Sequence, residues 1–192
     1  RGDGHIPAEG PAVLVCNHVS FVDPILLMAA SPRPIHFIMD SRIFATPVLG
    51  WLFKLAKAIP IAPHKDDPAT YEAAFARAAQ VLREGDLLAI FPEGGITCDG
   101  RLQPFRGGVL KILEQAREDG INAPVVPMAL TNLWGSFFSR IEVRDGKNVA
   151  MVRPLRRGWF SRVGLEVGAP LAADQMTADA MQRRVQQLLD RP

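Results

Sequence analysis

The sequence is short of several things, and each shortage excludes a class. Cysteine occurs twice, at Cys16 and Cys98, and no C-x-x-C is present. That excludes a disulfide scaffold and paired-cysteine zinc or redox motifs, and it suits a reducing, cytoplasmic setting. No run of about 18 apolar residues occurs, so no segment reads as a transmembrane helix. None reads as a signal peptide. Repeats, low-complexity tracts and linkers are missing, and the 16 glycines and 16 prolines stand mostly singly at turns. Net charge is only +2 over 192 residues, too little for a dedicated nucleic-acid binder. It is unevenly spread: residues 1–96 hold 8 Lys/Arg against 10 Asp/Glu, and residues 97–192 hold 14 against 10. The later surplus points to a mildly anionic partner.

What is present is an alternation of short buried strands and helices. Strands are expected at 11–16, 35–39, 58–62, 87–91 and 124–130, with two more near 149–152 and 164–167. Pro60 suggests that 58–62 lies at a sheet edge or bulge. Helices are expected from Asp23-Pro24 to Ala30, over 47–57, from Asp67-Pro68 to Glu84, over 107–119 and over 174–189. Asp before Pro reads as N-cap and first helical residue, and Gly85 and Gly120 read as stops. The fold class is α/β: one domain over residues 1–192, with a mixed, mostly parallel sheet flanked by helices. A chain of this length buries about 70% of its unfolded surface and needs no staple.

Two constellations leave strand ends, where α/β sheets present reactive groups. The first is Asn17-His18-Val19-Ser20-Phe21-Val22-Asp23. A carboxylate five residues beyond a histidine can turn back across a tight loop, hold one ring nitrogen and leave the other as base. The plain alternative is that Asp23 only caps the helix and His18 is a polar turn residue. The second is Phe91-Pro92-Glu93-Gly94-Gly95-Ile96-Thr97. Its glycines let backbone amides approach an anion closely, and Glu93 is placed to hold a hydroxyl or orient neighbouring donors. The plain alternative is a tight turn with a solvated Glu. A metal site from His18, Asp23 and Glu93 is disfavoured: it offers one imidazole and no repeated ligand spacing. Neither metal nor cofactor is expected. Cys16, two residues before His18, reads as a buried small hydrophobe rather than a nucleophile.

Together, Asn17-His18-x-x-x-x-Asp23 and Phe91-Pro92-Glu93-Gly94-x-Ile96-Thr97 resemble the first and third motifs of the glycerolipid acyltransferase family. That family includes the 1-acylglycerol-3-phosphate and lysophospholipid acyltransferases. Ala58-Ile-Pro-Ile61 stands at the place of its second motif and Val125-Val126-Pro127-Met128 at its fourth. The resemblance implies acyl transfer from acyl-CoA or acyl-carrier protein to a lysolipid hydroxyl. His18 would deprotonate the hydroxyl and Asp23 would hold His18, with no acyl-enzyme. Ser20, Pro92, Glu93, Gly94 and Gly95 would meet the substrate. Two positions depart from the family's usual pattern, which often has Arg near Ala62-Pro63 and Arg after Glu-Gly, where Gly95 stands. Both arginines are usually taken as phosphate contacts. Lys65, Arg101 and Arg106 are the cations left to compensate, unless the acceptor is a lysophospholipid with a larger headgroup. Relatives that process such acceptors are fused to a transporter and an acyl-CoA synthetase. A domain cut from such a chain is the expectation here.

A lipid acceptor implies a membrane surface. The segment 42–57 combines Trp51 and Phe53 with Arg42, Lys54 and Lys57, which suits an interfacial helix or, alternatively, a core-covering one. Residues 153–162, with Arg156, Arg157 and Trp159, form the densest basic-aromatic patch and suit an anionic leaflet. The expected location is the cytoplasmic membrane face, peripherally bound or tethered through a larger chain. The rival functions are acyl transfer to another lysolipid such as lyso-ornithine lipid, a thioesterase in which His18 activates water, and a non-catalytic lipid-binding module.

Overall fold

The computed structural model describes residues 1–44, 57–136, 138, 141–144, 147–150 and 162–191. The helix expected over 47–57 and the basic-aromatic stretch 153–162 fall almost wholly outside them. In chain order the elements are β1 (Ala12–Cys16), α1 (Asp23–Ala30), β2 (Ile35–Asp40), α2 (Ser41–Phe44) and β3 (Ile59–Ile61). Then come α3 (Pro68–Arg83), β4 (Leu87–Ile90), α4 (Gly108–Glu118), β5 (Val125–Thr131), β6 (Ile141–Arg144), β7 (Lys147–Ala150), β8 (Gly164–Val167) and α5 (Ala178–Leu189).

Among the described residues, six strands form one sheet in the order β3-β2-β4-β1-β5-β8. Every neighbouring pair is parallel except β5–β8. Strands β6 and β7 make a separate antiparallel hairpin. The central strand β1 is buried at all five positions, which explains its unbroken apolar run. Its side chains alternate between two cores. Val13 and Val15 pack with Ala78 and Val81 of α3, Val109 and Ile112 of α4, and Val185 of α5. Leu14 and Cys16 pack on the other face with Leu27 of α1, Phe37 and Met128. Edge strand β3 carries Pro60, where a missing N–H costs no ladder bond.

Local signals set most boundaries. Asp67 caps α3 by accepting from the Thr70 amide at 3.0 Å, with Pro68 in the first position, and Gly85 ends it at φ +79. Two expectations need correction. Asp23 is the first residue of α1, not its N-cap. Val22 occupies that place, and the Asp23 carboxylate turns back into the preceding loop. The last helix starts at Ala178 rather than near Asp174, because Thr177 caps it through the Ala180 amide.

Leu88 of β4 is fully buried in the three-helix core. Leu88→Ala is expected to destabilise the fold by about 3 kcal/mol in urea titration, because the surrounding helices cannot close the cavity completely.

Candidate active site

The parallel order puts the carboxyl ends of β4, β1 and β5 side by side. Both constellations therefore emerge at one rim. Asn17 extends β1 by one step with its side chain. Its Nδ2 donates to Leu130 O at 3.1 Å and its Oδ1 accepts from Leu130 N at 2.7 Å. The backbone is then free to leave the sheet and form the turn that carries His18.

That turn is wound around one carboxylate. Asp23 is wholly buried, and its Oδ2 accepts from His18 Nδ1 at 2.8 Å, Val19 N at 2.8 Å and Ser20 N at 3.0 Å. Its Oδ1 is buried with no hydrogen-bond partner among the described residues. The contact removes the plain alternative of a capping Asp and an unrelated turn histidine. The Phe91 ring stacks on the imidazole, with centroids 4.3 Å apart and planes 16° apart. The ring is thus held by a carboxylate at one edge and an aromatic face below. Nε2 keeps no partner among the described residues, and the side chain is 19% exposed. An imidazole held this way can take a proton at Nε2, with the carboxylate stabilising the cation that results.

Glu93 joins the two loops. It is 5% exposed, and its Oε1 accepts from His18 N at 2.6 Å while Oε2 accepts from Gln103 N at 2.7 Å. Burial raises its pKa above the ordinary carboxylate value, and the two amides and His18 act against that rise. His18 O in turn accepts from Thr97 N at 2.9 Å. Of the residues expected against substrate, three lie beneath the surface. Glu93 is committed to amides, Ser20 donates its hydroxyl to Phe138 O at 3.0 Å, and Pro92 is buried. Gly94 and Gly95 are exposed. Gly94 has φ +71, a conformation that favours glycine. Phe91 under the imidazole, Asn17 as a strand extension and the Gln103 amide are contributions that the sequence reading did not assign. An apolar residue just before Pro-Glu-Gly was the only available signal for the first.

Cys16 is fully buried. Burial first, then the nearby Asp23 charge, pushes its thiol well above the ordinary value, so it stays protonated and poorly nucleophilic. A cleft of about 570 Å³ opens beside the turn, lined by Asn17, Val19, Arg101, Leu133 and Trp134 among others.

The family model described as Acyltransferase matches residues 1–131, which include both constellations. The chain belongs to the acyltransferase family. A chloroplastic 1-acyl-sn-glycerol-3-phosphate acyltransferase of Brassica napus is 33% identical over 131 residues, covering 68% of this chain and 36% of that protein. A lyso-ornithine lipid O-acyltransferase of Pseudomonas aeruginosa is also 33% identical over 131 residues, covering 68% and 46%. The chain thus spans roughly a third to a half of these relatives' lengths. Among solved structures, the 1-acyl-sn-glycerophosphate acyltransferase PlsC of Thermotoga maritima aligns with a TM-score of 0.66 at 18% identity. That alignment covers 98% of this chain and 67% of that one, and it bears on the fold. Mixed mostly parallel α/β architecture is common to both.

In the acyltransferase chain, Glu93 holds two backbone donors, the half-buried amides of His18 and Gln103. Glu93→Gln places an NH₂ against one of them. The variant is expected to lose about 1–3 kcal/mol of stability in denaturant titration. Wild-type stability in that variant would mean that the two amides find other acceptors.

Proposed function

We propose that this chain transfers a fatty acyl group from a thioester, either acyl-CoA or acyl-carrier protein, to the free hydroxyl of a lysolipid. The 1-acylglycerol 3-phosphates head the acceptor class. The observation that carries this reading is the 2.8 Å contact between His18 Nδ1 and buried Asp23, with Nε2 left open at the rim. Nε2 takes the proton of the acceptor hydroxyl, and the oxygen attacks the thioester carbonyl. The tetrahedral intermediate collapses to an ester and expels the thiolate, which receives the proton back from the imidazolium. Asp23 holds the tautomer throughout, and no acyl-enzyme forms. The similarity to a Pseudomonas lyso-ornithine lipid O-acyltransferase supports lyso-ornithine lipid as a second acceptor to test.

His18→Ala is expected to lower acyl transfer by about 10²- to 10⁴-fold. Cys16→Ala is expected to remain active. Both are measured with labelled oleoyl-CoA against a panel of lysolipids. Acyl-CoA hydrolysis that does not depend on a lysolipid would identify a thioesterase instead. Near-normal transfer by His18→Ala would remove the mechanism.

The reading also places a membrane beside the site, at the cytoplasmic face. No helix among the described residues is long and apolar enough to cross a bilayer. Three large apolar side chains are exposed next to the His18 turn: Phe21 at 38%, Ile25 at 45% and Phe138 at 41%. The Phe21 and Phe138 rings meet edge to face, with centroids 6.4 Å apart. Exposed apolar residues gathered at the mouth of a lipid site suit peripheral contact with a leaflet. Replacing all three with alanine is expected to weaken co-sedimentation with anionic vesicles by about tenfold or more. Unchanged partitioning would move the membrane surface elsewhere.

A further inference from the structure

We propose that Phe91 is a positioning residue for the base, and that its ring face stabilises the His18 imidazole once Nε2 has taken a proton; the inference rests on the acyl-transfer reading above. Phe91 directly follows β4, and its backbone is pinned there, since its carbonyl accepts from Gly94 N at 3.1 Å. Strand alternation puts its side chain on the face that carries Leu87 and Ala89. Phe37 of β2 stands on that face as well, opposite Ala89 in the parallel register. The Phe37 and Phe91 rings are stacked, with centroids 6.4 Å apart and planes 15° apart. The imidazole stacks on Phe91 in turn, at 4.3 Å and 16°. Three near-parallel rings thus link the rim to the core. Exposure falls along them from 19% at the His18 side chain to 9% at Phe91 and 1% at Phe37.

An aromatic face is the negative part of the ring quadrupole, and a cation within about 6 Å of the centroid is attracted to it. Neutral imidazole gains little from that field, and imidazolium gains most. The base is neutral before the hydroxyl proton moves and cationic after it. The contact therefore strengthens toward the transition state, which is the kind of interaction that raises kcat. Two carboxylates lie close by, and they act elsewhere. Asp23 holds the ring edge through Nδ1 at 2.8 Å, and Glu93 spends its oxygens on the His18 and Gln103 amides. Phe91 acts on the ring face. An aliphatic side chain in its place would exclude the same water and return no attraction to the cation.

The test keeps the shape of the ring and drains its face of charge. Phenylalanine carrying one, two or three fluorines is introduced at position 91, alongside Phe91→Leu. Transfer from oleoyl-CoA to 1-oleoylglycerol 3-phosphate is followed in steady state. kcat is expected to fall with each fluorine, to about 2- to 30-fold below wild type at three, with both KM values little changed. Phe91→Leu is expected to lose at least as much. Fluorinated variants that all turn over like wild type overturn the proposal, whatever Phe91→Leu does, because a purely structural role needs only the shape. A loss carried wholly by KM overturns it as well, since that places Phe91 against substrate. NMR reads the stack without turnover. The His18 ring protons are expected to be shielded by the Phe91 ring current in wild type and to lose that shielding in Phe91→Leu, and equal shifts in the two overturn the contact. If wild type hydrolyses oleoyl-CoA and does not acylate the lysolipid, the series is read on hydrolysis. A stepwise fall there removes the acyl-transfer reading and keeps the role of Phe91; a flat series removes both, as does a wild type inert in both assays.

Discussion

A single oxygen atom organises the active rim. Asp23 Oδ2 collects three N–H donors, from the His18 ring and from the Val19 and Ser20 amides. Two of these donors shape the turn and the third aims the imidazole. Turn geometry and ring orientation therefore cannot vary independently. The atom is buried, so water does not compete for those donors, and each bond is stronger than it would be at the surface. The local cost is visible at Oδ1, which is buried without a hydrogen-bond partner among the described residues.

The second buried carboxylate solves a different problem. A strand that ends at Cys16 and another that ends at Ile90 leave two loops with unpaired amides at one rim. Glu93 satisfies one amide from each of two segments, at His18 and at Gln103. The loop after β4 is thereby tied to the loop after β1 across the sheet. The same tie explains why Glu93 is not available to a substrate. Gly94 and Gly95 are the exposed part of that turn.

Much of the scaffold is legible in local chemistry. The unbroken apolar runs at 12–16, 87–90 and 125–130 announce strands buried on both faces, and all three lie in the centre of the sheet. Asp67-Pro68 and Gly85 bound α3 because capping and positive φ are local properties. The helix start at Thr177 was missed because Asp174 offers a comparable capping residue three positions earlier. Only the packed helix shows that residues 173–175 form a separate 3-10 turn. The role of Asp23 was half legible. Its five-residue spacing from His18 predicted the contact, but its position before Pro24 suggested a cap that the geometry gives to no side chain.

The sequence by itself determined which chemistry is on offer: a histidine with a carboxylate in reach, a Glu-Gly turn after a buried strand, and a cysteine too apolar in its surroundings to act. The tertiary structure alone decided how those pieces are used. Residues 18 and 93 are 75 positions apart, and their contact exists because β1 lies between β4 and β5. Strand order is set by the packing of two whole cores, not by any local spacing. The same holds for Phe91 beneath the imidazole. Each is a contact between loops, and loops meet only after the sheet that carries them has formed.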